Sequence, residues 1–203
     1  MKFTLGTKVS MTQVFDGQGV AYPATVLSAG PVTVTALRTV DKDGYAAVQV
    51  GFGSTKESRI NAAQKKQGLF RHVAEFRVPA ESLANYQIGQ VVDLSSFKDG
   101  DYVTARSLSK GKGFQGAVKR HHFKGGSRTH GQKHSEREIG SINGRGRVGS
   151  GRVNKGKRMP GRMGGDMVTV KNLKVLQVRP ESNELVIHGS LPGRKGVLVS
   201  IVG

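Results

Sequence analysis

The 203-residue chain contains no cysteine and no tryptophan, and only 14 of its side chains are acidic. Without cysteine there is no disulfide, no thiolate nucleophile and no Cys-ligated zinc. No apolar run approaches the roughly 20 residues that a membrane-spanning helix needs. The opening Met1-Lys-Phe-Thr-Leu-Gly-Thr-Lys8 lacks the apolar core of a secretory signal and the Arg- and Ser-rich character of a transit peptide, so a soluble, cytoplasmic protein is expected. Hydrophobic residues make up 36%, below the usual share for a compact globule, and aromatics only 6%. What is abundant is positive charge and glycine: 32 Lys plus Arg give a net charge of +18, and there are 29 glycines.

The charge is concentrated. Residues 1–105 carry 11 basic and 9 acidic side chains, and residues 166–203 carry 5 and 3. Residues 106–165 carry 16 and 2, with 15 of the glycines, four of the six histidines and only two aromatics, Phe114 and Phe123. So few apolar groups cannot offset the entropy of ordering such a segment by itself. The expectation is a basic arm, 106–165, that becomes ordered against a polyanion. Within it, Lys110 to Phe123 could form a short helix despite its glycines.

The flanks read as β-structure. Val32 to Val40 and Tyr45 to Phe52 alternate around an Asp43-Gly44 turn, a hairpin pattern with Ala46, Val48, Val50 and Phe52 on one face. Val20 to Leu27 predicts a strand that Pro23 assigns to an edge. Met167 to Val170, Lys174 to Val178, Leu185 to His188 and Val197 to Val202 predict further short strands, with a turn at Pro180 to Asn183. Many short strands suggest a small barrel. Ser58 to Phe70 has helical composition with Gly68 as its stop, which places a small α+β insert at about 54–96.

Three patterns suggest chemistry, and each lacks its context. Gly111-Lys-Gly-Phe-Gln-Gly116 has the spacing of a dinucleotide fingerprint, but no buried strand leads into it and no βαβ repeat follows. Gly151-Arg-Val-Asn-Lys-Gly-Lys157 resembles a P-loop, yet Arg158 stands where a Mg²⁺-binding Ser or Thr belongs. His121, His122, His130 and His134 could ligate zinc, but sixteen nearby cations oppose a divalent ion; contact with nucleic acid is the stronger reading. Glu136 and Glu138 are better explained as salt partners of Arg137 or Lys133 than as an acid–base pair. No enzyme, cofactor or metal is expected.

A basic, glycine-rich arm is suited to following a phosphate backbone. Lys and Arg neutralise phosphates, and glycine lets the main chain approach crowded RNA. Scarce aromatics argue against a single-strand stacking platform, and no helix-turn-helix or finger pattern reads the DNA major groove. Recognition of a folded RNA by shape and phosphate remains. A nucleotide-using enzyme and an architectural DNA binder are the rival classes.

Several motifs, in order, then resemble one family. Gly6-Thr-Lys-Val-Ser-Met-Thr-Gln-Val-Phe15 is similar to the opening Gly-x-Lys-x-Gly-Met-Thr-x-x-Phe of bacterial large-subunit ribosomal protein three, with Ser10 in place of glycine. Ser109-Lys-Gly-Lys-Gly-Phe-Gln-Gly-Ala-Val-Lys-Arg120 follows the family signature; Phe97 falls in place, and Thr104 replaces an Asp or Asn. Thr129-His-Gly131 and Gly140-Ser-Ile142 match, while Glu136 replaces a His and Ile139 a Pro. Lys155-Gly-Lys-Arg-Met-Pro-Gly-Arg-Met-Gly164 is similar to Lys-Gly-Lys-Lys-Met-Ala-Gly-x-Met-Gly.

The resemblance implies a mainly β fold: a six-stranded translation-factor-like β-barrel of residues 1–105 and 166–203, with an extension over 106–165. It implies that the extension threads between rRNA helices toward the peptidyl transferase centre. It also implies 23S rRNA binding near the 3′ end, a role in early assembly, and ribosomal proteins fourteen and nineteen as neighbours. The tip, Asn143 to Ser150, is about two residues longer than usual and more cationic, and the glutamine methylated in some relatives has no counterpart. The expected rRNA contacts are Lys110, Lys112, Lys119, Arg120, His121, Arg128, His130, Arg137, Asn143, Arg145, Arg147, Arg152, Lys155, Lys157, Arg158 and Arg162, with Gly111, Gly113 and Gly116 allowing close approach. The barrel would anchor the arm through basic residues on one of its edges.

Overall fold

The computed structural model describes residues 1–142 and 153–203, and the chain divides into two compact units, Met1–Leu108 with Met167–Gly203, and Ser109–Asp166. In the first unit, six strands hydrogen-bond in a closed antiparallel ring. They are β1 (Phe3–Phe15), β2 (Ala21–Ala29), β7 (Tyr102–Leu108), β10 (Met167–Arg179), β11 (Glu184–His188) and β12 (Leu198–Val202), in the ring order β1-β12-β7-β10-β11-β2. A second, four-stranded sheet has the order β5-β4-β3-β6, from β3 (Val32–Arg38), β4 (Ala47–Ser54), β5 (Phe70–Arg77) and β6 (Val91–Val92).

Alternation along β1 makes it the wall between two cores. Thr4 pairs with Ile201 and Phe3 with Val202. On the ring side lies a core that includes Leu27, Ala29, Leu94, Phe97, Val103, Val175, Leu185, Ile187, Val199 and Ile201. On the other face Phe3 and Leu5 join Val32, Val34, Val48, Val50, Phe76 and Val78. Phe3 stacks on Phe76 with ring centroids 4.7 Å apart. A strand buried on both faces has no solvent side, and its first four residues are all buried. Gly6 sits where a Cβ would fall 2.9 Å from that of Ala29, so only glycine lets β2 lie this close.

The structure departs from the sequence expectations in four places. The Val32–Phe52 hairpin forms, but it belongs to the second sheet, which therefore starts well before residue 54, and a one-turn helix, α1 (Val40–Asp43), with Gly44 at φ 79, replaces the simple Asp-Gly turn. The helix expected over Ser58 to Phe70 shrinks to α2 (Ala62–Lys65) and a 3₁₀ turn at Glu57–Arg59. No residue of either is buried, so helical propensity has no packing to extend it. Residues 167–179 form one strand, not two; its register shifts between Val170 and Leu173, where Asn172 takes φ 56.

The fourth departure concerns Pro23. Strand β2 is paired on both sides, to β1 and β11, so it is not an edge strand; Pro23 itself pairs with Gln13 of β1, one residue beyond the last β2–β11 pair, Ala24 with His188. Gly189 N–H donates to the Pro23 carbonyl at 2.7 Å, but Pro23 has no N–H to return the bond. The Thr25 hydroxyl, fully buried, donates to the Gly189 carbonyl at 2.6 Å and supplies the missing partner. A neighbouring hydroxyl thus serves the carbonyl that the proline leaves without its usual donor.

Lys2 ties the start of β1 to the start of β7: its Nζ lies 2.6 Å from Asp101 Oδ2, which also accepts the Lys98 N–H. The hydrogen bond from Lys2, then that from Lys98, holds the Asp101 carboxyl below its ordinary pKa. A depressed folded-state pKa stabilises the fold above the ordinary carboxylate range, and that contribution is lost as pH falls through the lowered value. Asp101→Asn is expected to lower the denaturation midpoint at pH 7 and to flatten its decline below about pH 4. An unchanged acid decline would remove this pair from the account. Thr25→Val, nearly isosteric, is expected to cost about 1–3 kcal/mol by orphaning the Gly189 carbonyl, read from denaturant unfolding. A wild-type midpoint would show that the carbonyl has another partner.

Candidate nucleic-acid interface

The basic segment, Ser109–Asp166, is built on an antiparallel ribbon. Ser109 N–H donates to the Asp166 carbonyl at 2.9 Å, Lys112 N–H to Met163 at 2.9 Å, and Met163 N–H to Gly113 at 3.0 Å. Strand β8 (Phe114–Gln115) then pairs with β9 (Gly161–Arg162). Gly164, at φ 73, crosses the other arm so closely that a Cβ would collide with the Lys110 carbonyl oxygen. The Gly111–Gly116 spacing therefore lies on an antiparallel ribbon, without the parallel βαβ unit that a dinucleotide site requires.

A five-residue helix follows, α3 (Ala117–His121), within the stretch where a short helix was expected. It buries Ala117 and ends at His122 in the left-handed conformation, φ 60. Arg120 Nη1 donates to the Met159 carbonyl at 2.8 Å, and His121 Nε2 lies 3.1 Å from the same oxygen, a contact that requires a proton on Nε2. Gly161 makes room for the guanidinium: a Cβ there would fall 2.5 Å from Arg120 Nη1. Two side chains expected on RNA thus clasp the returning arm. Further on, Gly126 N–H donates to the Glu136 carbonyl at 2.9 Å, and Gly125, at φ 76, has no room for a Cβ against that oxygen. Arg128 Nε pairs with Glu136 Oε1 at 2.6 Å.

The remaining cations face outward. Lys110, Lys112, Lys119, Arg128, Arg137, Lys155, Lys157, Arg158 and Arg162 are exposed, as are His130, Gly111, Gly113 and Gly116; Arg120 and His121 are half-buried. Among the described residues, Arg128–Glu136 is the one ion pair of this unit. Asn143, Arg145, Arg147 and Arg152, with the tip at 143–150, lie outside the described residues. Among the described residues no three His, Asp or Glu side chains converge as metal ligands. Phe114 is 74% exposed, an aromatic face among cations.

Gly111, Gly113 and Gly116, expected to allow close approach to RNA, border open space. The glycines that a side chain would drive into backbone are Gly125, Gly126 and Gly164. The Gly125-Gly126 and Gly164-Gly165 doublets were the available signal, since such doublets mark turns. Arg120 and His121 had no local signal, because their partner is 38 or 39 residues away.

Comparison with known proteins places the chain among relatives along its whole length. A family described as ribosomal protein L3 matches residues 54–191. The chain is 45% identical to the large ribosomal subunit protein uL3 of Chlorobium limicola, over 98% of this chain and 96% of that one. It is 45% identical to the protein of the same name from Heliobacterium modesticaldum, over 98% and 95%, and 41% identical to that of Corynebacterium efficiens, over 99% and 93%.

The ribbon geometry yields a matched pair of variants. Gly164→Ala, strained by its positive φ and the Lys110 carbonyl, is expected to cost about 1–2 kcal/mol. Amide exchange at Lys112 and Met163 should then accelerate about tenfold or more. Gly111→Ala, in open space, should leave both rates unchanged. Equal behaviour of the two variants would contradict the close crossing.

Proposed function

The chain belongs to the ribosomal protein L3 family, and from that membership we propose that its basic unit is an rRNA-binding extension and its β-rich unit the anchor for it. The family is a structural constituent of the large ribosomal subunit, not an enzyme. In our reading the closed six-stranded ring is the translation-factor-like barrel, residues 106–165 are the extension, and the partner is 23S rRNA near its 3′ end. The extension reaches toward the peptidyl transferase centre, the protein joins the subunit early in assembly, and ribosomal proteins fourteen and nineteen are its neighbours. Its place is the cytoplasmic ribosome.

The observation that carries this reading is the outward set of cations of which, among the described residues, only Arg128 has a carboxylate partner. Exposed lysines and arginines separated by glycine can each meet a phosphate oxygen, and releasing condensed counterions from RNA supplies the free energy. The role is positional: the chain neutralises phosphates where RNA helices crowd and so fixes their relative arrangement. Lys119 on α3 and Arg162 on β9 stand on ordered elements, which lowers the entropy lost when they engage. Arg120 and His121 hold the two arms together, so they position contacts instead of making the main ones.

If about six to ten phosphates are engaged, affinity for a 23S rRNA fragment should fall by about 10³–10⁵ between 50 and 200 mM salt. Replacing Lys155, Lys157 and Arg158 by glutamine should make the salt dependence shallower by about one unit per contact removed. A flat salt response by the wild type, or equal affinity for duplex DNA in competition, would overturn the reading.

A further inference from the structure

The β-rich unit carries a second cationic surface, apart from Ser109–Asp166, on the excursion between β4 and β5. Thr55 N–H donates to the Leu69 carbonyl at 3.0 Å and closes this excursion into a compact loop. Its mouth is held by Phe70, whose ring covers Gly51 and Gly68. A Cβ on Gly68 would fall 2.6 Å from that ring, and Gly51 has no room for a Cβ at all. The loop is therefore a built feature of the sheet, although its short helix buries no side chain.

Its charges are unbalanced. Lys56, Arg59, Lys65 and Lys66 lie in the loop and Arg71 just beyond it, all exposed, against the single acid Glu57. Glu57 pairs with Lys65 at 3.0 Å. Among the described residues, the other four cations have no carboxylate partner. Elsewhere on the same sheet the arrangement is the opposite: Arg38 lies 3.0 Å from Asp43 and 3.1 Å from Glu75, which also accepts the Tyr45 hydroxyl. One part of the sheet neutralises its own charge and the other does not.

The loop also has a concave site of about 300 Å³. Arg59 and Arg71 line it together with Thr55, Ile60, Gln64 and Phe70. Its lining thus includes two arginines, a threonine and a glutamine, all with donor groups, and no Asp or Glu. Guanidiniums suit the oxygens of a phosphodiester, and Lys56 and Lys66 add positive charge to the same loop.

We propose that the loop 55–71 is a second phosphate-backbone site, which grips a structured RNA independently of Ser109–Asp166. The proposal rests on the reading of the chain as an rRNA-binding protein and adds to it a distinct place of contact. Two sites of one chain that engage one RNA raise the effective concentration of each for its own segment. The sheet then fixes register at one point while the extension engages another.

The test uses the full chain and a 23S rRNA fragment, with a quadruple variant, Lys56→Gln, Arg59→Gln, Lys66→Gln and Arg71→Gln. The slope of log affinity against log salt should become shallower by about three to four, near 0.9 per phosphate released. One hydroxyl-radical footprint should disappear while others persist. The Lys155, Lys157 and Arg158 variant should lose a different footprint. In the wild type, ultraviolet crosslinks should include peptides spanning 55–71, a readout that needs no variant to fold. Wild-type slope and footprint in a folded quadruple variant, or no crosslink within 55–71, would overturn the proposal and leave the rRNA reading intact. A flat salt response by the wild type would overturn both.

Discussion

Closure of the six-stranded ring is the constraint from which the other features follow. Each strand has a neighbour on both sides, so the ring has no free edge to protect. The ladder between β7 and β10 pairs Leu108 with Met167, the residues that flank the entire basic segment. A long insertion between paired neighbours adds a loop-closure cost that grows only logarithmically with length, and the ladder on the ring side is undisturbed. Ring closure also sets β1 between two cores, so the second sheet is anchored by the same strand that completes the ring.

Charge is handled differently in the two units. The β-rich unit pairs Lys2 with Asp101, Arg38 with Asp43 and Glu75, Lys65 with Glu57, and Arg179 with Glu184. Such exposed pairs add little stability singly, but they keep the local potential low. In Ser109–Asp166 the described cations outnumber carboxylates so heavily that only Arg128 finds one. Self-repulsion within the unit is what the phosphate backbone proposed as its partner would offset. The loop at 55–71 follows the second pattern inside the first unit, which is why it stands out there.

The wrong readings of individual elements share one cause. Pro23 signals an edge by its missing N–H, but the Thr25 hydroxyl answers the carbonyl left over, and that partnership runs through Gly189, far along the chain. Ser58 to Phe70 has helical composition, yet with no face to bury only one turn survives. Met167–Val170 and Lys174–Val178 read as two strands, while the chain bulges between Val170 and Leu173 and continues as one. Local signals describe what a segment prefers; long-range partners decide what it does.

The sequence by itself determined the mainly β character, the segregation of sixteen cations and fifteen glycines into 106–165, the lack of cysteine chemistry, and the family, through motifs spread over the whole chain. These are properties of composition and local order, which need no knowledge of neighbours. Only the tertiary structure decided that the Val32–Phe52 hairpin leaves the ring for a second sheet, and that Arg120 and His121 turn inward to Met159. The same is true of Gly125, Gly126 and Gly164, glycines of the basic unit that a side chain would drive into backbone. Each depends on a contact between residues distant in the chain, and such contacts leave no periodicity or composition to read.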